Sequence, residues 1–125
     1  MTEDQVVSLR PVEPADLPTV GLLNSAAVPA VNDLSSEELA LFAEVAHTFL
    51  VVVLPRGSVV GFLVGLDGPG VAYDSVNYRW FSERYDCFLY VDRVVVDPSG
   101  QGRGIGRSLY EAFVQRAEGH TALCA

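Results

Sequence analysis

Val94-Val95-Val96-Asp97-Pro98-Ser99-Gly100-Gln101-Gly102-Arg103-Gly104-Ile105-Gly106-Arg107 is the stretch on which the reading of this chain turns. A β-branched apolar run stops at Asp97-Pro98, four glycines then fall within seven positions, and an amphipathic segment follows at once. The order is strand, tight loop, helix. Glycines carry no Cβ, so the backbone can approach a ligand closely and turn its N–H groups outward together. The first helical turn adds N–H donors without intrahelical acceptors and the positive end of the helix dipole. A phosphate or pyrophosphate suits such a place. Arg103 and Arg107, four residues apart, can add two charge-assisted contacts.

Spacing narrows the ligand. A Walker A loop needs Gly, four residues, Gly, then Lys and Ser/Thr, whereas Gly100 and Gly106 are five residues apart and Arg107-Ser108 follows. A G-x-G-x-x-G fingerprint fails as well, because Ile105 or Arg107 stands where its third glycine belongs. What fits is Gln-x-x-Gly-x-Gly, carried by Gln101, Gly104 and Gly106.

That motif, after a strand ending Val96-Asp97-Pro98, resembles the acyl-CoA-binding motif of the GNAT family of N-acetyltransferases. The resemblance is close over residues 88–117 and elsewhere rests on element order. It implies an α/β (α+β) fold with a mixed, mostly antiparallel central sheet flanked by helices, and acetyl-CoA as cosubstrate without a metal. By the same resemblance, backbone groups of Val94, Val95 and Val96 line the pantetheine arm as an added strand would. Gln101, Gly102, Arg103, Gly104, Ile105, Gly106 and Arg107 then hold the pyrophosphate.

Composition sets the frame. With 125 residues, half of them hydrophobic, the chain is expected to form one folded domain over residues 1–125. Sixteen acidic against eight basic residues give a net charge of −8, and no extended basic stripe accompanies the glycines, which disfavours nucleic acid as partner. An acidic surface would attract amines, although simple solubility explains it more readily. Cys87 and Cys124 lack C-x-x-C spacing and a matching histidine pair, as expected of reduced thiols. An acidic start at Met1-Thr2-Glu3-Asp4 and the lack of a long apolar run lead us to expect a cytoplasmic protein with no membrane partner.

Along the chain, residues 5–10 alternate as a strand, and Asp16 can cap a helix with Pro18 in its first turn, whose face carries Val20, Leu23 and Ala27. Ser35 and Glu38 have capping-box spacing ahead of an apolar face of Leu39, Phe42 and Ala46. His47, after that face, reads as a surface histidine. Residues 48–54 are nearly continuously apolar, as in a strand buried on both faces, and residues 59–66 are its hairpin partner across Pro55-Arg56-Gly57-Ser58. Residues 71–86 crowd aromatic rings among charges, suiting either a pocket for an amine-bearing acceptor or a loop pinned by its rings. Tyr78, Trp80 and Tyr90 are the candidate acceptor contacts.

Period two over residues 88–96 predicts Phe88, Tyr90, Asp92, Val94 and Val96 on one face and Leu89, Val91, Arg93 and Val95 on the other. Asp92 and Arg93 would then point opposite ways, each needing a partner. Asp92, on the face shared with Val94 and Val96, is the first candidate for the base that takes a proton from the amine. A structural carboxylate paired to Arg79 or Arg84 is the competing reading, and Glu83 and Tyr90 are weaker candidates for the base. Ile105, Leu109, Phe113 and Ala117 form the core stripe of the helix after the glycines, and residues 121–125 begin another strand.

In the family resembled here, the fold continues with a further helix and a strand pair, and a tyrosine on that helix often protonates the leaving thiolate. Against that pattern the chain is expected to be truncated at its C-terminus or completed by a partner chain, such as a second copy in a homodimer. The function expected from the resemblance is transfer of an acetyl group from acetyl-CoA to a primary amine of a small molecule or peptide. A non-catalytic acyl-CoA-binding module and an unrelated nucleotide binder are the alternatives.

Overall fold

The computed structural model describes residues 7–68, 83, 87–98 and 104–116, and the backbone of 122–124. Its strands are β1 (Ser8–Pro11), β2 (Thr48–Val53), β3 (Val59–Gly68), β4 (Phe88–Val96) and β5 (Ala122–Cys124), and its helices are α1 (Leu17–Ala26), α2 (Ser36–Val45) and α3 (Ile105–Gln115). The five strands form one sheet in sequence order, antiparallel throughout except for the parallel pairing of β4 with β5.

The sheet has a helix layer on each face because its central strands are apolar on both. Along β2 and β3, Phe49, Val51, Phe62, Val64 and Leu66 pack with Val20 of α1 and with Leu39 and Phe42 of α2. The alternate residues Leu50, Val52, Val60 and Leu63 pack with Ile105, Leu109 and Phe113 of α3. The continuous apolar run of β2 and the stripe of α3 thus serve as the sequence predicts, with Ala117 outside the described residues. Gly65 makes room for α3: a Cβ there would lie 2.8 Å from Cε1 of Phe113.

The helix starts follow local chemistry. Ser35 caps α2, its hydroxyl accepting from the Glu38 N–H at 3.1 Å while the Glu38 carboxylate accepts from the Ser35 N–H at 2.9 Å. Asp16, expected to cap α1, does something else. Its carboxylate accepts two hydrogen bonds from Arg10, at 2.7 and 2.9 Å, and one from the Glu13 N–H at 2.7 Å, and it makes no side-chain cap to α1. The nearer guanidinium wins over the helix terminus, and these bonds, Arg10's first, hold the Asp16 carboxyl below its ordinary value.

The face assignment of β4 is corrected by a β-bulge. Val64 pairs with Arg93 but Gly65 pairs with Val91, leaving Asp92 as the extra residue. Phe88 and Tyr90 belong to the α1/α2 side, and beyond the bulge so does Val95, while Leu89 and Val91 share the α3 side with Val94 and Val96. A strict period of two cannot see an inserted residue, and the parity of the strand inverts there.

Candidate functional site

Beyond the bulge, β4 presents an edge that no described strand covers. The Asp97 N–H donates to the Val60 carbonyl at 2.8 Å, so by antiparallel alternation Val95 and Arg93 also direct their backbone groups to β3. Val94 and Val96 therefore direct theirs to the opposite edge. β5 pairs with β4 only from Phe88 to Tyr90, and among the described residues no strand pairs with the outer edge from Val91 to Val96.

The start of α3 lies close to the end of β4, since a Cβ at Gly61 would meet Ile105 Cγ2 at 3.5 Å and Val96 Cα at 3.6 Å. Gly104 is the N-cap with φ +73°, a left-handed conformation that costs a side-chain-bearing residue strain and glycine little. The first helical bond is donated by Ser108 to the Gly104 carbonyl at 3.0 Å, so the N–H groups of Ile105, Gly106 and Arg107 lack intrahelical acceptors. The N-cap glycine has no side chain to cap this terminus, and the first turn of α3 holds no acidic residue. Among the described residues, a Cβ at Gly104 or Gly106 would meet nothing within 4 Å. Ile105, 2 % exposed, anchors the turn in the core while Arg107 is exposed. N–H donors without intrahelical acceptors, in a turn with no acidic residue of its own, fit a pyrophosphate, and an edge that no described strand covers fits an amide-bearing arm. Gln101, Gly102 and Arg103 lie outside the described residues, as do Tyr78, Trp80, Arg79 and Arg84.

The bulge itself carries a buried polar cluster. The side chains of Arg93 and Asp92 are 2 % and 4 % exposed, and Arg93 Nε donates to Asp92 Oδ2 at 2.7 Å. The expectation that these charges point opposite ways is therefore corrected: the inserted residue brings sequence neighbours together. Arg93 Nη1 also donates to Asn24 Oδ1 at 2.8 Å and to the Asn32 carbonyl at 2.9 Å, and Nη2 donates to Asn32 Oδ1 at 2.6 Å. Asn24, fully buried on α1, donates in turn to the Asn32 carbonyl at 3.0 Å. The guanidinium carbon lies 5.7 Å from the centre of the Phe42 ring, a cation–π contact.

Sequence reasoning missed Asn24 and Asn32. A signal existed for Asn24, which stands four residues after Val20 on the apolar face of α1, where a polar residue needs a partner. Tyr90, expected at the acceptor, is 4 % exposed and packs in the α1/α2 core cluster. His47 is exposed, its Nδ1 2.8 Å from the Thr48 hydroxyl. Glu83 is exposed.

A five-stranded sheet with helices on both faces, a bulged β4 and a glycine-started α3 defines an acyl-CoA N-acyltransferase fold. The chain belongs to the Acetyltransferase (GNAT) family, whose profile matches residues 19–124. Among solved structures it is similar to aminoglycoside 6'-N-acetyltransferase AAC(6')-Ih from Acinetobacter baumannii, with TM-score 0.73 and 16 % identity over 95 % of this chain and 78 % of that one. Ard1 from Thermoplasma volcanium matches with TM-score 0.67 and 19 % identity over 87 % of this chain and 62 % of that one. A phosphinothricin acetyltransferase from Sinorhizobium meliloti, solved in complex with AcCoA, matches with TM-score 0.63 and 21 % identity over 88 % of this chain and 58 % of that one. At these identities the likeness establishes the fold. The chain thus spans about three fifths of the length of the last two. No curated protein sequence matches it.

Proposed function

We propose that the chain binds acetyl-CoA along the outer edge of β4 and transfers its acetyl group to a primary amine. The observation that carries this reading is the nearness of two features. The outward backbone groups of Val94 and Val96 stand close to the start of α3, where the N–H groups of Ile105, Gly106 and Arg107 lack intrahelical acceptors. Family membership and the AcCoA-bound relative support the choice of acyl donor.

When bound, acetyl-CoA supplies a thioester whose carbonyl carbon the amine nitrogen attacks. The C–N bond forms, the C–S bond breaks, and the sulfur leaves as thiolate to take a proton. The chain's own residues do the rest. Val94 and Val96 hold the arm in register, and the Val94 N–H, on the open edge, is our candidate donor to the developing oxyanion. Asp92, on the bulge, is our candidate acceptor for the amine proton, directly or through one water. Its Oδ2 is held by Arg93, which fixes the carboxylate in place and also favours a structural role for it. Asp92→Asn separates the two by turnover per folded molecule: a base predicts a fall in kcat of about a hundredfold or more with acetyl-CoA affinity unchanged, a purely structural carboxylate keeps kcat, and the loss of stability is common to both.

The test of function is release of free CoA thiol from acetyl-CoA in the presence of spermidine, tyramine, glutamate, kanamycin and a peptide with a free α-amine. Amine-dependent thiol release supports the transferase reading. Acetyl-CoA binding without release under every amine points to a binding module instead.

A further inference from the structure

An apolar groove lies between α1 and α2 on the side away from the sheet. Helical period sets Pro18 and Leu22 opposite Val20 and Asn24, the two residues of α1 that are wholly buried. Leu17, Gly21, Leu34 and Leu39 join them around a cavity of about 500 Å³. Gly21 lets the helices close on each other there, since a Cβ on it would lie 3.1 Å from Leu39 Cδ1. Leu39 is 3 % exposed, whereas Leu22, at 74 %, is the most exposed large hydrophobic side chain among the described residues. A lone exposed leucine is ordinary, but one that borders an apolar concavity marks a contact surface. None of these residues belongs to the edge of β4 or the start of α3.

Charge selects what covers the groove. Between Pro11 and Pro55 the sequence holds no lysine or arginine and six carboxylates, Glu13, Asp16, Asp33, Glu37, Glu38 and Glu44. Arg10 takes up Asp16. Glu13, Asp33 and Glu37 are exposed, and each adjoins in sequence a residue that lines the groove, Pro14, Leu34 and Ser36. A second copy seated on the same face would bring carboxylate against carboxylate as it closed, and an anionic lipid surface would meet them with the same sign. A cation-bearing polypeptide gains on both counts, by burying Leu22 and by facing the acidic rim.

We infer that this groove docks a segment of a partner protein whose apolar side chains are flanked by lysines or arginines. A helix is the form that lays such side chains into a groove between two helices. The surface is separate from the acyl-CoA site, so it stands whether or not turnover is found.

The test uses the full chain and a fluorescein-labelled synthetic helix of leucines and lysines, about fifteen residues long, beside the same helix with glutamate in place of lysine. By anisotropy the parent is expected to bind the lysine helix with Kd below about 100 µM and to leave the glutamate helix free. Leu22→Asp is expected to weaken binding at least about tenfold although it adds a negative charge, because the apolar contact is lost. Val114→Asp, the same kind of change at an exposed position of α3 across the sheet, keeps the parent Kd. Glu37→Lys weakens binding about threefold or more at low salt. Circular dichroism confirms that each variant is folded. Unchanged or tighter binding by Leu22→Asp would mean that charge alone acts and overturns the groove, as does equal loss in Val114→Asp, equal binding of the glutamate helix, or no binding of the lysine helix. A parent dimer in sedimentation that Leu22→Asp dissociates would seat a second copy there. Flotation with phosphatidylserine vesicles that Leu22→Asp abolishes would seat a membrane there, and either result overturns the cationic partner.

Discussion

Replacing Asp92 by Asn removes the one charged partner of Arg93 among the hydrogen bonds described, at a site where both side chains are almost wholly enclosed. Breaking a buried ion pair from one side costs about 3–5 kcal/mol, because the remaining charge stays buried without a counter-charge. Arg93 keeps its bonds to Asn24 and Asn32 and its place over the Phe42 ring, so the lower end, about 3 kcal/mol, is expected. With a urea dependence of about 2 kcal/mol per M for a domain of this size, the unfolding midpoint falls by about 1.5 M. Arg93→Met takes the guanidinium from beside Asp92 and from the fully buried Asn24 oxygen together and should cost about 4 kcal/mol. The double variant buries neither charge, so its cost should fall short of the sum by at least about 1.5 kcal/mol. Urea unfolding of the four proteins, followed by Trp80 fluorescence and circular dichroism together, measures the cycle. A cost below about 1 kcal/mol for Asp92→Asn, or single effects that add within about 0.5 kcal/mol, would refute the reasoning.

Two other substitutions probe the fold. Gly65→Ala sets a methyl against the buried Phe113 ring and should cost about 1–3 kcal/mol, a drop of several degrees in Tm; a neutral result would mean that α3 does not pack down on β3 as described. Asp16 has its folded pKa depressed below 3.8 mainly by the Arg10 hydrogen bonds, so its contribution to stability is complete above that value and is lost as pH falls through the depressed one. Asp16→Asn should therefore lower Tm at pH 7, and its gap to the parent should narrow as pH falls below 3.8; a gap that does not change with pH contradicts the linkage.

Much of this was legible because local chemistry and tertiary packing agree. The glycine spacing announced the start of α3, the Ser35–Glu38 pair announced that of α2, and the unbroken apolar run of β2 announced a sheet covered on both faces. Legibility ended where one residue was inserted. The period of β4 inverts at Asp92, and with it went the expectation that Asp92 and Arg93 diverge. Arg93's partners, Asn24 and Asn32, lie sixty-nine and sixty-one residues away, a separation that no window of sequence carries. Asp16 misled for a local reason, since a carboxylate beside a helix start also had an arginine within reach. The acceptor contacts Tyr78 and Trp80 lie outside the described residues, and Tyr90 was assigned by its polar tip although its ring lies in the core.

The central claim is that the outer edge of β4 and the start of α3 together form an acyl-CoA site. Calorimetric titration of acetyl-CoA into the parent, Gly104→Glu and Gly104→Asn tests it most directly. Asparagine tolerates the left-handed backbone at this position, so that variant controls for strain, whereas glutamate sets a carboxylate where the pyrophosphate would lie. The account predicts one-to-one binding by the parent and by Gly104→Asn, and binding at least about tenfold weaker by Gly104→Glu. Equal binding by all three, or binding by none, would contradict it.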